Sequence, residues 1–476
     1  MAAATTTTTK MNGGINSSKE YSEQPQHNAA DTTAKKTPAA TSESEWEAVS
    51  SLLDAARPFL RGELGSADPE LPSLVAVLRA AGAGECYHKH GTFLEHLEDV
   101  YRILRLWGAS DAVARCGLFH SSYSNSYVDL AIFQLDTGRG QVRRIIGADA
   151  ERLVHLFCVV PRHQLIFEQL QPRYTEQELR DHLAAAEAEL AAAQQGQLLG
   201  SSPVLTMSPW RRKLRSVVPP EGVVATHIRT GEPVPLSRRV VAAFLLMTVA
   251  DFSDQYTDYQ DELFENDDGR LELRGDDWAA LWPGTGKPGL WVSAMSRLAA
   301  LYGLIARDEQ LIAMQMQGAG HHHHDDDMVV GELVVPPVFE RCSRVLDPGE
   351  QKAARDLYWE AITTTRSSKD NRKDTEALLR ESIAKNPFVG EPHLVLAQLL
   401  LNDGRYAEAE AEAAAGRGVR LLLQWGSSWD KRMSWEGWVS WGRLMGDKPR
   451  RRRGTWPRTA WGIINLGLVE GVANRN

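Results

Sequence analysis

Three polar residues lie in apolar stretches where an isolated polar side chain is costly. His96 lies within "GTFLEHLEDVYRIL", His120 ends the run "CGLFH", and Asp251 closes "RRVVAAFLLMTVAD". A buried carboxylate without a partner is strongly unfavourable or takes up a proton. Two imidazoles and one carboxylate are a natural ligand set for a divalent metal ion. The sequence therefore leaves two alternatives for His96, His120 and Asp251: a site for Mn²⁺, Fe²⁺ or Zn²⁺, or a metal-free group in which hydrogen bonds satisfy the three side chains.

Apolar residues recur every three or four positions near each of these side chains, a spacing that predicts helices. The helices expected to carry the three residues span 92–107, 111–119 and 237–254. Gly108 is expected to end the first helix, and Ser110 is expected to cap the second. Other predicted helices span 46–60, 70–81, 139–160 with a break at Gly147, 175–195 and 291–307.

The composition is that of a globular protein, with 43 % hydrophobic and 24 % charged residues in a chain of 476. The net charge of -9 argues against general nucleic-acid binding, which needs a basic surface. Four cysteines without a CxxC pair indicate reduced core thiols. No apolar stretch approaches about 18 residues, so no membrane span is expected. We expect a cytoplasmic protein. A chloroplast transit peptide in "MAAATTTTTK" is the alternative, although no arginine precedes Arg57.

Changes of composition divide the chain into four parts. Residues 1–45 contain few apolar side chains and are predicted to be disordered. Residues 46–310 are predicted to form a first helical domain, with an insertion or long surface excursion at about 165–235. Residues 311–347 are a linker, whose "HHHHDDD" tract is interpreted as a low-complexity loop rather than a metal site. Residues 348–476 form a second helical region.

The second region contains a pattern typical of a tetratricopeptide repeat. In "EPHLVLAQLLLNDGRYAEAEAEAAA", Leu396, Gly404, Tyr406 and Ala409 occupy the packing positions of that repeat, and His393 replaces its usual tryptophan. Such helical repeats hold a partner protein or peptide. Seven of the 14 tryptophans lie between 425 and 461, and we interpret them as a capping core rather than a ligand groove.

Four segments resemble HD-domain phosphohydrolases, in the order seen in that family. They are "HGTFLEHLEDV", "CGLFHSSYSN", "VRRIIGADAERLVHLF" and "LLMTVADFSDQ". They look most like the hydrolase domain of RelA/SpoT-type guanosine tetraphosphate enzymes, over residues 70–310. The resemblance implies that His96, His120 and Asp251 are three of four metal ligands. Ser121 stands where the family has the fourth ligand, an aspartate, and the acidic pair that follows is absent as well.

A second resemblance rests on "GLFHSSY", "ADFSDQ" and "SWEGWVSWGRL". These segments are similar to a plant and algal family that joins a domain of unknown function to a tetratricopeptide-like tail. That resemblance implies no particular activity. Taken together, the sequence predicts an all-α protein, with an HD-domain-like helical domain followed by a tetratricopeptide-like helical repeat domain.

Two hypotheses of function follow. The first is a non-catalytic or weakly catalytic scaffold protein, built on a degenerate HD-like domain, because Ser121 is neutral and a poor metal ligand. The alternative is a metal-dependent phosphohydrolase, in which a metal-bound water attacks a nucleotide or a small phosphate ester. Asp254, one turn after Asp251, and His90, in "CYHKHG", are accessory candidates for the site.

Overall fold

The structure is a computed structural model. It describes residues 41–88, 91–124, 131–195, 207–254, 293–315, 330–344, 347–364, 369–415, 417–431 and 433–450. These residues form 18 α-helices and only two short antiparallel hairpins, so the prediction of an all-α protein is confirmed. The described residues from Ser42 onward belong to one compact unit. No described helix is both long enough and apolar enough to cross a membrane.

The helices fall into three groups along the chain. The first group is α1 (Thr41–Leu60), α2 (Leu64–Ala67), α3 (Leu71–Ala80), α4 (Phe93–Leu106), α5 (Asp111–Leu118), α6 (Leu135–Ile146) and α7 (Ala148–Val159). The second group is α8 (Glu176–Gln194), α9 (Pro209–Val217), α10 (Arg238–Asp254), α11 (Ser293–Gln315) and α12 (Phe339–Cys342). The third group is α13 (Pro348–Thr364), α14 (Lys369–Lys385), α15 (Gly390–Asn402), α16 (Tyr406–Glu410), α17 (Gly418–Trp425) and α18 (Trp435–Arg450).

Short non-α segments connect these helices. The first hairpin pairs β1 (Tyr87–His88) with β2 (Gly91–Thr92), and the second pairs β3 (Val223–Thr226) with β4 (Pro233–Leu236). A π-helical turn, Gln164–Leu170, follows α7, and a second one, Ala411–Ala415, follows α16. Both hairpins lie beside helices of the first group, close to the candidate sites described below.

Local signals place the helix ends where the sequence predicts them. Gly108 has a φ of 77° and directly follows the last turn of α4. The Ser110 hydroxyl accepts a hydrogen bond from the backbone N–H of Val113 at 3.4 Å, which caps α5. Gly147 separates α6 from α7. Helix α1 begins at Thr41, before the expected start of order near Trp46. The rest of the predicted N-terminal disorder lies outside the described residues, as does the "HHHHDDD" tract.

Helices α8 and α9 lie within the predicted insertion at about 165–235, and both pack onto α11. Helix α8 packs against α11, and Leu179, Trp210 and Leu214 are buried in the same core as the rest of the chain. The Ala-rich sequence of α8 obscures this packing, because only Leu179, Leu183 and Ala186 form its buried face.

A buried cluster of charges joins α9, α10 and α11. The Asp308 carboxylate of α11 is fully buried and accepts hydrogen bonds from Arg211 Nε at 2.5 Å and from Arg238 Nη1 at 2.6 Å. Arg215 Nε lies 3.3 Å from the same carboxylate. Burial raises the pKa of Asp308, but the positive charges of Arg238 and Arg211 outweigh that effect and lower it. This cluster fixes α9 to the helix that carries Asp251.

The C-terminal helices form the expected helical pairs. Helix α13 packs against α14, and α15 is followed by a turn in which Gly404 has a φ of 74° before α16 begins. All residues of α15 from Gly390 to Leu401 are buried, because α14, α16, α17 and α18 surround it. The face on which a repeat would bind a peptide is therefore covered here by the protein's own helices.

The Trp-rich segment provides much of that covering. The described tryptophans of this segment are all at most 3 % exposed, as a capping core requires; they are Trp425, Trp429, Trp435, Trp438 and Trp441. Trp456 and Trp461 lie outside the described residues. The same segment also contacts α4, since Arg102 Nε donates to the Gly426 carbonyl at 3.0 Å. The two predicted domains thus share one core.

Candidate metal centre

His96 is positioned by the start of α4. Thr92 and Glu95 form a capping box: the Glu95 N–H donates to the Thr92 hydroxyl at 3.2 Å, and the Thr92 N–H donates to Glu95 Oε2 at 2.8 Å. One residue later, His96 lies on the buried face of the helix. Its Nδ1 lies 2.8 Å from Asp254 Oδ2, and its Nε2 lies 3.2 Å from Asp251 Oδ1.

His120 lies in the turn that follows α5. Its Nδ1 donates to the Gly117 carbonyl oxygen at 2.7 Å, and its Nε2 lies 3.9 Å from Asp251 Oδ1. A side chain at position 117 would place its Cβ 2.3 Å from the Leu104 side chain. Glycine at this position therefore lets α5 lie close to α4 without displacing the Leu104 and Val100 side chains.

Asp251 lies near the end of α10, a helix that is buried along almost its whole length. One ligand atom from each of His96, His120 and Asp251 lies within 4.8 Å of the other two. Ligands bonded to one ion at about 2.0–2.2 Å are separated by distances of this order. The structure therefore brings the three predicted residues together in a buried group that could hold a metal ion.

Each imidazole has its second nitrogen committed to an acceptor outside this group. Asp254 accepts from His96, and the Gly117 carbonyl accepts from His120, so both Nε2 atoms face Asp251. Metal-binding histidines usually have this arrangement, because the outer acceptor fixes the tautomer and the orientation of the ring. Asp254, predicted as an accessory residue, occupies the outer position rather than that of a ligand.

The pKa values of His96, His120 and Asp251 are shifted from their usual ranges by different amounts and for different reasons. Burial lowers the pKa of His96, but hydrogen bonds to Asp251 and Asp254 outweigh it and raise the pKa to about 9. For His120, burial dominates and lowers the pKa to about 4. Burial raises the pKa of Asp251, but the hydrogen bond from His96 and the nearby histidines lower it below its usual range. Without metal, His96 is thus a cation between two carboxylates.

A lysine from the C-terminal region completes the surroundings of Asp254. Lys431 Nζ lies 3.3 Å from Asp254 Oδ1 and donates to the Ser427 hydroxyl at 3.2 Å. The Ser427 hydroxyl donates to the Ser253 carbonyl at 2.9 Å. The segment between α17 and α18 is thereby attached to the end of α10. Neither the Lys431 contact nor its role has a local sequence signal, because the two partners are 177 residues apart.

Replacing Lys431 by methionine is expected to weaken metal binding about tenfold, because Lys431 holds Asp254, the outer partner of His96. Without the ammonium group, Asp254 loses the partner that holds it against His96 Nδ1. Lys431→Arg should retain most of the affinity, since it keeps the positive charge. The measurement is competition for Zn²⁺ with a chelating dye. Equal affinities of Lys431→Met and the unsubstituted protein would show that Lys431 has no part in ligand positioning.

The other residues predicted for the site are Ser121 and His90. Ser121 is buried in the turn directly after His120, and Asp251 is the one carboxylate in the metal-ligand group found among the described residues. His90 lies outside the described residues, while the ring of its neighbour His88 lies 4.5 Å from that of His96, centroid to centroid.

Sequence reasoning missed Arg162. Its guanidinium is 1 % exposed and lies 3.5 Å from the centroid of the Phe157 ring. The positive charge of Arg162 contributes to the lowered pKa values of Asp251 and His120. A single arginine after a helix carries no spacing signal, so only the fold could reveal this neighbour of the site.

Comparison with known proteins gives one match. A family described as a domain of unknown function (DUF6817) matches residues 77–162. The matched segment contains His96 and His120, and Asp251 lies beyond it. Neither the curated proteins nor the solved structures contain a match to this chain. The site and the fold therefore define a helical protein with a buried group of two histidines and an aspartate, part of which is similar to this domain of unknown function.

Proposed function

We propose that this chain is a divalent-metal-binding scaffold protein, in which His96, His120 and Asp251 hold one ion between α4, α5 and α10. The observation that carries the proposal is the orientation of the two imidazoles, whose Nε2 atoms face Asp251 while each Nδ1 has its own acceptor. Two histidines and a carboxylate suit Mn²⁺, Fe²⁺ or Zn²⁺. The ion would connect the consecutive helices α4 and α5 with α10, which is far from both in sequence.

Two features favour a role without efficient catalysis. The three ligand residues are each at most 7 % exposed, so an ion among them would be enclosed by protein. Ser121, which is neutral, stands where HD-domain enzymes have an aspartate that binds metal. The resemblance to those enzymes and to the plant and algal family supports this proposal. It favours an HD-like core that has lost most or all of its catalytic activity.

A metal-dependent phosphohydrolase is the second candidate, and Arg162 is the observation that favours it. A guanidinium matches the geometry and charge of phosphate, and this one lies close enough to Asp251 and His120 to influence their pKa values. Three protein ligands leave coordination positions open, where a bound divalent ion would activate water for attack on phosphorus. The substrate would be a nucleotide or a small phosphate ester.

A scaffold also needs a partner, and the proposed partner is a protein or peptide that binds the helical repeats. Because α15 is covered, we place this contact on the exposed side of α14, where Lys373, Asp374 and Arg380 reach solvent. The cytoplasm, with the chloroplast as the alternative, is the proposed location.

Elemental mass spectrometry of purified, untagged protein tests the metal proposal. The "HHHHDDD" tract is deleted from all samples so that it cannot bind metal. We expect one Mn, Fe or Zn per chain, lost in His120→Ala and retained in His163→Ala, a control at a partly exposed histidine that lies 3.6 Å from Glu168. Absence of bound metal after incubation with excess Mn²⁺ and Zn²⁺ would refute the proposal. The loaded protein is then assayed with nucleotides and phosphate esters, and turnover that His120→Ala abolishes would favour the hydrolase.

A further inference from the structure

We propose that a separate site for a phosphate or pyrophosphate group lies beside α7, where Arg139, Arg229, His155 and His227 surround one patch of the surface. Two of these residues come from helices and two from the turn of the β3–β4 hairpin. The site needs no metal ion, and it goes beyond the metal-binding function proposed above. Four observations support it, and each concerns a different part of the patch.

The first observation is an excess of positive charge. Arg139 Nε and Nη2 lie 2.6 Å and 3.1 Å from the two oxygens of Glu151, and Arg143 Nη2 lies 3.1 Å from the same carboxylate. Glu151 also accepts a hydrogen bond from the Tyr123 hydroxyl at 3.1 Å. One buried carboxylate therefore holds two guanidinium groups that remain partly exposed, and their remaining N–H groups are available to an anion.

The second observation is the position of the β3–β4 turn. The Ile228 N–H donates to the Val159 carbonyl at 2.9 Å, which fixes the turn to the end of α7. Arg229 Nη2 donates to the Tyr123 carbonyl at 2.9 Å, and Arg229 as a whole is an exposed residue. A third guanidinium group is thus held against the backbone of Tyr123, the residue whose hydroxyl donates to Glu151. Arginine is suited to this role because its planar fork matches phosphate oxygens.

The third observation concerns His227, whose tautomer is fixed by its own turn. Its Nδ1 accepts hydrogen bonds from the backbone N–H groups of Arg229 at 3.2 Å and Thr230 at 3.1 Å. The proton of the neutral ring must therefore be on Nε2, which makes that atom a donor. Anion sites are built from such fixed donors.

The fourth observation is a buried imidazole atom without a partner. His155 Nδ1 is buried and makes no hydrogen bond to any part of the chain that the structure describes. The His155 ring packs edge-on against Tyr123, with 6.4 Å between centroids. Arg139, His227 and Arg229 all lie close enough for their charges to act on His155. Buried polar atoms are nearly always hydrogen-bonded, so a bound anion oxygen is the natural partner for a proton on Nδ1.

Helix α7 connects this patch with the metal centre. Glu151, His155 and Cys158 recur at the spacing of one helix face. At the far end of that face, Cys158 Sγ lies 3.2 Å from the His120 carbonyl oxygen. The proposed ligand is a phosphate-type oxyanion. Its site is separated from the candidate metal ligands by the turn at 120–124.

Calorimetric titration of the metal-free protein with inorganic pyrophosphate tests the site. Removing metal first matters because pyrophosphate itself binds divalent ions. We expect saturable binding that Arg229→Gln weakens at least about tenfold, a change of about 1.4 kcal/mol. His227→Asn should have a similar effect, since asparagine can still accept from the turn but lacks the Nε2–H donor. Arg380→Gln, an exposed arginine on α14, is the matched control and should leave the affinity unchanged.

Pyrophosphate binding by a variant that lacks the metal site distinguishes this proposal from the metal proposal. His120→Ala, which is expected to lose metal, should bind pyrophosphate as the unsubstituted protein does. Binding that is absent at about 1 mM pyrophosphate would overturn the anion site and leave the metal centre unaffected. Equal weakening by Arg229→Gln and Arg380→Gln would also overturn it, because it would show only a general attraction to positive charge.

Discussion

Lowering the pH from 8 to 6 is expected to weaken metal binding at His96, His120 and Asp251 about 100-fold. The pKa of His96 in the metal-free protein is about 9, so the ion must displace one proton from its Nε2 throughout this range. His120, with a pKa of about 4, is already neutral, and Asp251, with its lowered pKa, is already ionised. One proton per ion corresponds to about tenfold in affinity per pH unit. Dye competition at several pH values measures the slope.

Asp254→Asn is the matched variant for this experiment. Asparagine keeps the shape but removes a carboxylate that raises the pKa of His96. The affinity for the metal ion should therefore reach its maximum at a lower pH than in the unsubstituted protein. The maximum itself should be lower, because the His96 ring is less well oriented. A metal affinity that does not change between pH 6 and 8 would contradict the arrangement of His96 as a cation between two carboxylates.

Replacing Asp308 by alanine is expected to lower the free energy of unfolding by about 3–5 kcal/mol. The substitution removes the nearest carboxylate from Arg211 and Arg238, each at most 6 % exposed. It leaves them only the more distant Glu189 and Glu309, each 3.6 Å away. Breaking one side of a buried ion pair costs far more than the pair contributes, because the remaining charge cannot be solvated. Urea unfolding of the variant and of the unsubstituted protein gives the difference directly.

Glu408→Ala provides the comparison for Asp308→Ala. Glu408 pairs with Arg405 at 2.6 Å, but about half of its side chain is exposed. Its loss should change stability by less than about 1 kcal/mol, because water replaces an exposed partner. If the two variants are equally stable, the Asp308 cluster does not anchor α9 in the way the contacts indicate.

The helices and the three candidate ligands could be predicted because their signals are local. Gly108 and Ser110 mark the end of one helix and the beginning of the next, and the apolar spacing on both sides identifies the buried faces. His96, His120 and Asp251 are recognisable as polar residues at positions where the pattern requires apolar ones. Their convergence follows once the three helices pack, and the glycine at position 117 lets α5 lie close to α4.

The surroundings of the ligands could not be predicted, since they depend on contacts between distant segments. Asp254 was recognisable only as a nearby carboxylate, and its hydrogen bond to His96 depends on how α10 packs against α4. Lys431 and Arg229 lie in segments whose local pattern suggests only a turn. The buried face of α8 was likewise hard to recognise, because its many alanines give little contrast between one face and another.

The attachment of Lys431 to Asp254 has a consequence for the order in which the protein is made. Synthesis proceeds from the N-terminus, and early segments begin to fold first. His96, His120 and Asp251 are therefore all available before Lys431 has been added to the chain. During that interval Asp254 lacks the ammonium group that lies 3.3 Å from its carboxylate in the finished protein. The outer partner of His96 is therefore completed by one of the last segments to be made, after all three candidate ligands are already present.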